Sequence, residues 1–459
     1  MKLLSNNIIY IGSIIGNRGI NFLMFSYFTK LFSAVQIGQL EIIYAIFAIG
    51  CLLGTLQVES ALVRFYNEFK DEELKHLVST IFFIILFFSI FVVISFFIIS
   101  YILFNFFDFT LNNDAILAIN YSFINIVFYT LFTFFITVLR YEEKSIKFLF
   151  FNVLQASLFI LIFVGLTYFQ SGLEIIWKSL FASNLISVTF LIFLNYNILS
   201  KGPSLFYGKK VLTFSLPMMP GTLIGWSNSY LNRFVILKYL SLSELGMFSA
   251  INRISALILF SDMAIRVIWQ PFFWKSINLE DHKKVITEYF NKLTFYITVG
   301  FLLFCIIDDI LVRFLIAKSY WGLLPVLGVL NISFVIAIFI NIINMGPDLV
   351  KRTIITSITS LATIIISLGI LLILLPIYGI YAIPYSIFVS NILSFSIILI
   401  ISEKLYTIGY DTSYLLKMFS VCLTFVLIEY YCNFNYSIKI PMLIFLIILS
   451  RYIYRNLRI

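Results

Sequence analysis

Long apolar runs, each about 20 residues, alternate with short polar turns from one end of the chain to the other. A helix rises about 1.5 Å per residue, so a run of this length matches the roughly 30 Å hydrocarbon core of a bilayer. Fourteen such segments are read, at 8–29, 41–62, 78–101, 115–138, 148–168, 176–195, 212–231, 246–268, 290–310, 322–343, 354–374, 380–401, 416–432 and 439–453. They are too long for the roughly 10-residue strands of a membrane barrel, and lipid offers no partner to open backbone groups, so helices are predicted. No connection is long enough for a folded soluble domain. The first run continues past Phe28 and contains Arg18, with no small-residue cleavage pattern, so it reads as a retained span rather than a removable signal. The expectation is an all-α polytopic membrane protein with about 14 transmembrane helices.

Composition sharpens this picture. Of 459 residues, 61% are hydrophobic and 12% charged, against about 25% charged in soluble chains. That balance excludes a water-soluble enzyme, a disordered chain and a nucleic-acid module. The net charge of +9 lies mostly in turns, where it serves membrane orientation and contact with lipid phosphate. With the N-terminus placed in the cytoplasm, one set of turns collects Arg64, Lys70 and Lys75, then Arg140, Lys144 and Lys147, then Lys201, Lys209 and Lys210, and so on to Arg451 and Arg455. That side carries about three times the basic residues of the other, where Lys30, Lys178, Lys318 and Lys439 fall. Both termini are therefore expected in the cytoplasm of a multi-pass protein. Cys51, Cys305, Cys422 and Cys432 show no disulfide or metal spacing and read as small hydrophobes.

The two halves resemble each other at an offset of 208 residues. KLFSAVQIG (Lys30 to Gly38) lies against KYLSLSELG (Lys238 to Gly246), pairing Lys30 with Lys238, Ser33 with Ser241 and Gly38 with Gly246. Phe65 and Lys75 likewise meet Phe273 and Lys283. Six helices separate the matches, an even number, so the repeats share one orientation. The expected organisation is a six-helix lobe over 1–200, a second over 201–402, and two further helices with a basic tail over 403–459, with a site between the lobes.

Polar residues inside spans point to function, because an Arg at mid-membrane costs about 2.5–3.5 kcal/mol on insertion scales. Ser13, Asn17, Arg18 and Asn21 cover an arc of about 140° on the first span, and Gly12, Gly16 and Gly19 allow a neighbour to approach. One reading is a hydrated groove in which Arg18 holds an anion; the other pairs Arg18 with Glu59 or Glu429. In span 8, Arg253 beside Asn252 and Ser249 is the groove candidate. Asp262 is nine residues on, on the opposite face of an unbent helix, and is four residues from Arg266, a spacing for an ion pair. In span 7, Pro217 and Pro220 mark a hinge or a packing kink, with Asn228 beyond them. Pro376, Gly379 and Pro384 read as the turn between spans 11 and 12. Asp308, Asp309 and Arg313 read as an exposed ion pair at a helix end. No phosphate-binding loop, HExxH or CxxC pattern occurs, so neither catalysis nor a cofactor or metal is expected. Both histidines, His76 and His282, read as solvated.

Several segments resemble one family. FSLPMMPGTLIGWSNSYLNRFVILKYLSLSELGMFSAINRI (Phe214 to Ile254), LLPIYGIYAIPYSIFVSNI (Leu374 to Ile392), NMGPDLVKRT (Asn344 to Thr353) and the N-terminal run through Gly38 are similar to the Wzx-type O-antigen flippases of the multidrug/oligosaccharidyl-lipid/polysaccharide exporter superfamily. The resemblance implies a bacterial inner-membrane protein that moves an undecaprenyl-pyrophosphate-linked oligosaccharide from the cytoplasmic to the periplasmic leaflet by alternating access. It implies a cationic cavity, where Arg18 and Arg253 stand at fitting positions, and a pathway with a polysaccharide polymerase and a chain-length regulator. Competing readings are a cation-coupled multidrug exporter using Glu59, a peptidoglycan-precursor flippase, and an O-antigen polymerase. The short outward turns argue against the last.

Overall fold

The computed structural model describes residues 2–106, 113–350, 352, 354–431 and 436–455; Cys432 lies outside them. Among the described residues every regular element is helical. In chain order these are α1 (Lys2–Leu31), α2 (Ala34–Thr55), α3 (Val58–Phe65), α4 (Asp71–Phe106), α5 (Asn113–Tyr141), α6 (Ser145–Thr167), α7 (Glu174–Leu194), α8 (Tyr196–Leu199), α9 (Leu205–Ser215) and α10 (Met219–Tyr239). There follow α11 (Leu242–Ser255), α12 (Leu259–Ser276), α13 (His282–Leu315), α14 (Leu327–Ile343), α15 (Met345–Leu349), α16 (Ile354–Tyr378), α17 (Ala382–Leu405), α18 (Thr412–Tyr431) and α19 (Tyr436–Arg455). Among the described residues the fourteen predicted segments fall mainly on these helices, with 322–343 beginning in the 3₁₀ run Lys318–Val326. Nine stretches among the described residues are long and apolar enough to cross a membrane, one of which, Ile354–Leu405, runs through both α16 and α17.

The chain forms two compact units. The first holds the chain up to Phe28 with Gln39–Trp226; the second holds Thr29–Gly38 with the chain from Ser227 onward. In the first, α5 packs along α7 and α4, and α6 along α7, around Phe82, Phe134, Phe135 and Phe151. In the second, α14 and α16 pack on α17, and α18 and α19 lie on α13, around Trp269, Phe290, Phe339 and Phe425. Large apolar side chains point outward at helical spacing: Phe87, Phe91, Ile94 and Ile98 on α4, and Ile358, Ile365 and Leu372 on α16. In water such stripes would be an aggregation hazard; against lipid tails they are the expected surface.

Local chemistry explains the helix boundaries. Ser33 Oγ accepts from Gln36 N–H while Gln36 Oε1 accepts from Ser33 N–H, starting α2. Ser241 and Glu244 build the same capping box at the start of α11. Both boxes stand 208 residues apart, so the repeat seen in the sequence is also a repeat of local structure. The two turns also touch within the second unit. A Cβ on Gly38 would run into the Leu242 carbonyl oxygen, and a Cβ on Gly246 into the Ala34 carbonyl oxygen. Ala34 and Leu242 are themselves repeat equivalents, so the contact is reciprocal, and only glycine permits such close backbone approach.

Three long spans are broken rather than smoothly bent. Leu56 and Gln57 adopt φ of 46° and 58° between α2 and α3. Leu216–Met218, carrying Pro217, forms a 3₁₀ turn between α9 and α10, with Pro220 in the first turn of α10. Ala256–Ile258 forms another between α11 and α12, so Arg253 and Asp262 stand on separate helical pieces. Gly379, at φ of 54°, opens the turn predicted between spans 11 and 12.

Three expectations need correction. Asp308 and Asp309 are not an exposed helix-end pair: both are 0% exposed, because α18 and α19 cover that end of α13. Lys439, assigned to an outer turn, is 1% exposed inside the second unit. The glycine face of α1 also differs, since no described atom lies within 4 Å of a Cβ at Gly12, Gly16 or Gly19. These glycines leave an open flank instead of a tight crossing.

Candidate functional site

Within the first unit, α1, α5, α6 and α7 enclose a cleft of about 340 Å³. Its wall on α1 is Asn17, Ile20 and Asn21; on α5 it is Tyr129, Thr133, Ile136, Thr137 and Arg140; on α6 it is Asn152, Gln155 and Phe159 among others. The α5 residues recur every three or four positions, so they share one face of that helix. Asn21 Nδ2 donates to Asn17 Oδ1 at 3.3 Å, holding the two amides together on α1. Thr133 donates to Glu59 Oε1 at 2.9 Å, which ties α3 to the cleft wall. Gln155 Nε2 donates to Asn184 Oδ1 at 3.1 Å, and Asn184 Nδ2 to Asn125 Oδ1 at 2.9 Å. Asn184 and Asn125 are 0% and 1% exposed, so this chain of amides fixes α5, α6 and α7 behind the cleft. The cleft therefore offers amides, hydroxyls and one guanidinium in an otherwise apolar bundle. That set suits a hydroxyl-rich, partly anionic ligand.

The structure brings Asn17 and Asn21 into this cleft. Arg18 is exposed on α1 beside them but does not line it. Glu59 stands behind the cleft through Thr133. Asn252 and Arg253 occupy the last turn of α11, partly buried, and Asn228 is exposed on α10. These three belong to the second unit, so Arg18 and Arg253 stand in different units. Asp262 and Arg266 pair directly, with Arg266 Nε donating to Asp262 Oδ2 at 2.8 Å and Asn341 Nδ2 3.4 Å from both carboxylate oxygens. Glu429 faces the Lys439 ammonium rather than an arginine. His282 is not simply solvated, since its Nε2 lies 2.6 Å from the Tyr406 hydroxyl.

Sequence reading missed Thr133, Thr137, Arg140, Asn152 and Gln155. Their signal is present, a polar stripe at three- and four-residue spacing in spans 4 and 5, but Arg140 falls in the turn after span 4 and no charge inside those spans marks the stripe. A second groove, about 670 Å³ between α12 and α13, is lined mainly by apolar side chains such as Ile265, Ile297, Phe301 and Phe304. It provides a surface for hydrocarbon and little else.

The chain belongs to the family described as polysaccharide biosynthesis protein, whose pattern matches residues 3–275. Comparison with curated proteins found no match. Among solved structures, the lipid II flippase MurJ in an inward closed conformation is similar, with a TM-score of 0.73, 16% identity, and coverage of 99% of this chain and 100% of that one. An inward-facing MATE family multidrug resistance transporter of the MOP superfamily has a TM-score of 0.67 at 14% identity, covering 86% of this chain and 95% of that one. A MATE transporter in complex with MaD3S reaches 0.60 at 14% identity over 88% and 96%. At such identities the likeness shows the fold alone. The protein is thus an all-helical member of the polysaccharide biosynthesis family that shares its fold with the flippase MurJ and with MATE transporters.

Proposed function

We propose that this protein moves an undecaprenyl-pyrophosphate-linked oligosaccharide from the cytoplasmic to the periplasmic leaflet of a bacterial inner membrane. The observation that carries the reading is the polar cleft of the first unit, set in a chain of the polysaccharide biosynthesis family. A sugar headgroup loses its water hydrogen bonds on entering hydrocarbon, each at several kcal/mol. Asn17, Asn21, Thr137 and Asn152 supply replacement donors and acceptors, while the isoprenoid tail stays in lipid. Arg140, which lines the cleft, and Arg18 beside it supply positive charge for the pyrophosphate, and Arg253 is a separate substrate contact in the second unit. Exposure of the cleft to one leaflet at a time completes the transfer without chemistry on the substrate. Both termini are cytoplasmic in this reading, the two repeats act as six-helix lobes, and the product passes to a polymerase with its chain-length regulator.

The test is transport in proteoliposomes. Undecaprenyl-pyrophosphate oligosaccharide is expected to cross, and the Arg18→Ala, Arg253→Ala double variant and Arg140→Ala are expected to be slowed at matched incorporation. Equal rates for these variants would remove the arginines from the mechanism. Movement of the undecaprenyl-linked peptidoglycan precursor or of a cationic drug in place of the oligosaccharide would reassign the substrate.

A further inference from the structure

The covered end of α13 holds charges that no part of the cleft uses. Asp308, Asn331 of α14, Glu429 of α18 and Lys439 of α19 are all 3% exposed or less. Lys439 Nζ faces Glu429 Oε1, lies 3.9 Å from Asp308 Oδ1 and donates to the Cys305 carbonyl at 2.8 Å. Asn331 Nδ2 and the Asp309 N–H donate to Asp308 at 2.5 and 2.6 Å. Next to this group, Asp309 is paired with Arg313 through Nε at 2.8 Å. Carboxylate oxygens of Asp308 and Glu429 and the Cys305 thiol all lie within 4.8 Å of one another.

We propose that Asp308 and Glu429 share one bound proton beside Lys439, forming a proton-binding site inside the second unit.

Two buried oxygens, one on Glu429 and one on Asn331 outside the acidic pair, point to a missing donor. Glu429 Oε2 is buried without a hydrogen-bond partner, and so is Asn331 Oδ1, on the side chain that already grips Asp308. Gly328 leaves the room the Glu429 carboxyl needs, since a Cβ there would lie 2.8 Å from Oε2. Charge points the same way. The facing groups are Asp308, Asp309 and Glu429 against Lys439 and Arg313, with Cys305 as the remaining titratable neighbour. Among the described residues one carboxylate is in excess, and an uncompensated buried charge is disfavoured far more than a neutral acid. A single proton cancels the excess and supplies the donor. Because α18 and α19 bring Glu429 and Lys439 to α13, the proton binds only where these helices are docked. The native state then holds one proton that the unfolded chain releases at neutral pH, so stability falls as pH rises.

The experiment is infrared spectroscopy of the purified full chain in detergent near neutral pH, reading the carboxylic-acid C=O stretch as wild type minus variant. Asp308→Asn and Glu429→Gln are each expected to remove one protonated carboxyl, because the remaining carboxylate is balanced by Lys439. The fall in melting midpoint between neutral and alkaline pH is expected to shrink in Glu429→Gln. Absence of any carboxylic-acid difference in both variants would overturn the proposal. So would one chelator-removable divalent metal per wild-type chain, lost in Glu429→Gln, since Cys305, Asp308 and Glu429 would then be ligands. The wild-type metal content and pH dependence remain readable if a variant does not fold. The result is independent of the transported substrate, because no step of the assay contains one.

Discussion

Two amides three residues apart on α6, Asn152 and Gln155, show how neighbouring side chains of similar type play different parts. Asn152 spends its donor on the carbonyl of Phe148 in its own helix, so Asn152→Ala is expected to leave the melting midpoint nearly unchanged. If the cleft holds sugar hydroxyls, the same change removes about one hydrogen bond, or about 0.5–1.5 kcal/mol, and slows transport about 2- to 10-fold. Asn17→Ala is expected to behave alike. Gln155 instead reaches the buried Asn184. Gln155→Ala leaves that amide unsatisfied and is expected to cost about 1–3 kcal/mol of stability, read as a lowered melting midpoint in detergent. A transport loss without a stability loss in Gln155→Ala would contradict this division of roles.

At the scale of elements, chain direction is controlled by short polar devices between apolar helices. The capping boxes at Ser33 and Ser241 predict that Ser33→Ala and Ser241→Ala each lose about 1 kcal/mol. Gly38→Leu and Gly246→Leu force apart the same pair of turns and are expected to cost at least the roughly 1–3 kcal/mol of overpacking. By the reciprocity of the contact, the double variant should lose less than the sum of the singles. Between α3 and α9, Lys210 donates to Glu68 at 3.1 Å and Arg64 lies 2.7 Å from the same carboxylate. The Lys210 hydrogen bond, with Arg64 beside it, holds the Glu68 carboxyl below its usual range. The sign follows directly: a lowered carboxyl contributes above its unfolded value, and the contribution is lost as pH falls through the lowered one. Melting midpoints of wild type and Lys210→Gln should therefore differ at neutral pH and converge in acid, with a smaller gap in high salt.

Across the whole molecule, the outward stripes on α4 and α16 predict a lipid-facing surface. Ile365 is 62% exposed, yet Ile365→Lys is expected to reduce membrane-integrated yield, because a central charge costs about 2.5–3.5 kcal/mol on insertion scales, while Ile365→Leu is silent. Reporter fusions after the C-terminus are expected to be active only as cytoplasmic reporters; periplasmic activity would invert the charge-based orientation.

Much of this was legible because it is local. Apolar run length sets a spanning helix through the rise per residue, basic residues cluster in turns, and the Ser33/Ser241 and Gly38/Gly246 matches act within a few positions of themselves. Arg18 also stood out, since one charge in an apolar run is visible without any partner. The cleft and the buried ion cluster were not legible in this way. Thr133 meets Glu59, Gln155 meets Asn184, and Asp308 meets Lys439 only when helices distant in sequence are docked. Asp308 and Asp309 read as solvent-facing because a run of residues carries no mark of which later helix will cover it. Sequence alone determined the helices, their breaks at Pro217 and their repeat, since backbone satisfaction in lipid leaves a chain little else to form. Tertiary packing decided which polar groups became a cleft, which became a closed ion cluster, and which stayed exposed, because burial and charge pairing depend on neighbours that only the folded bundle supplies.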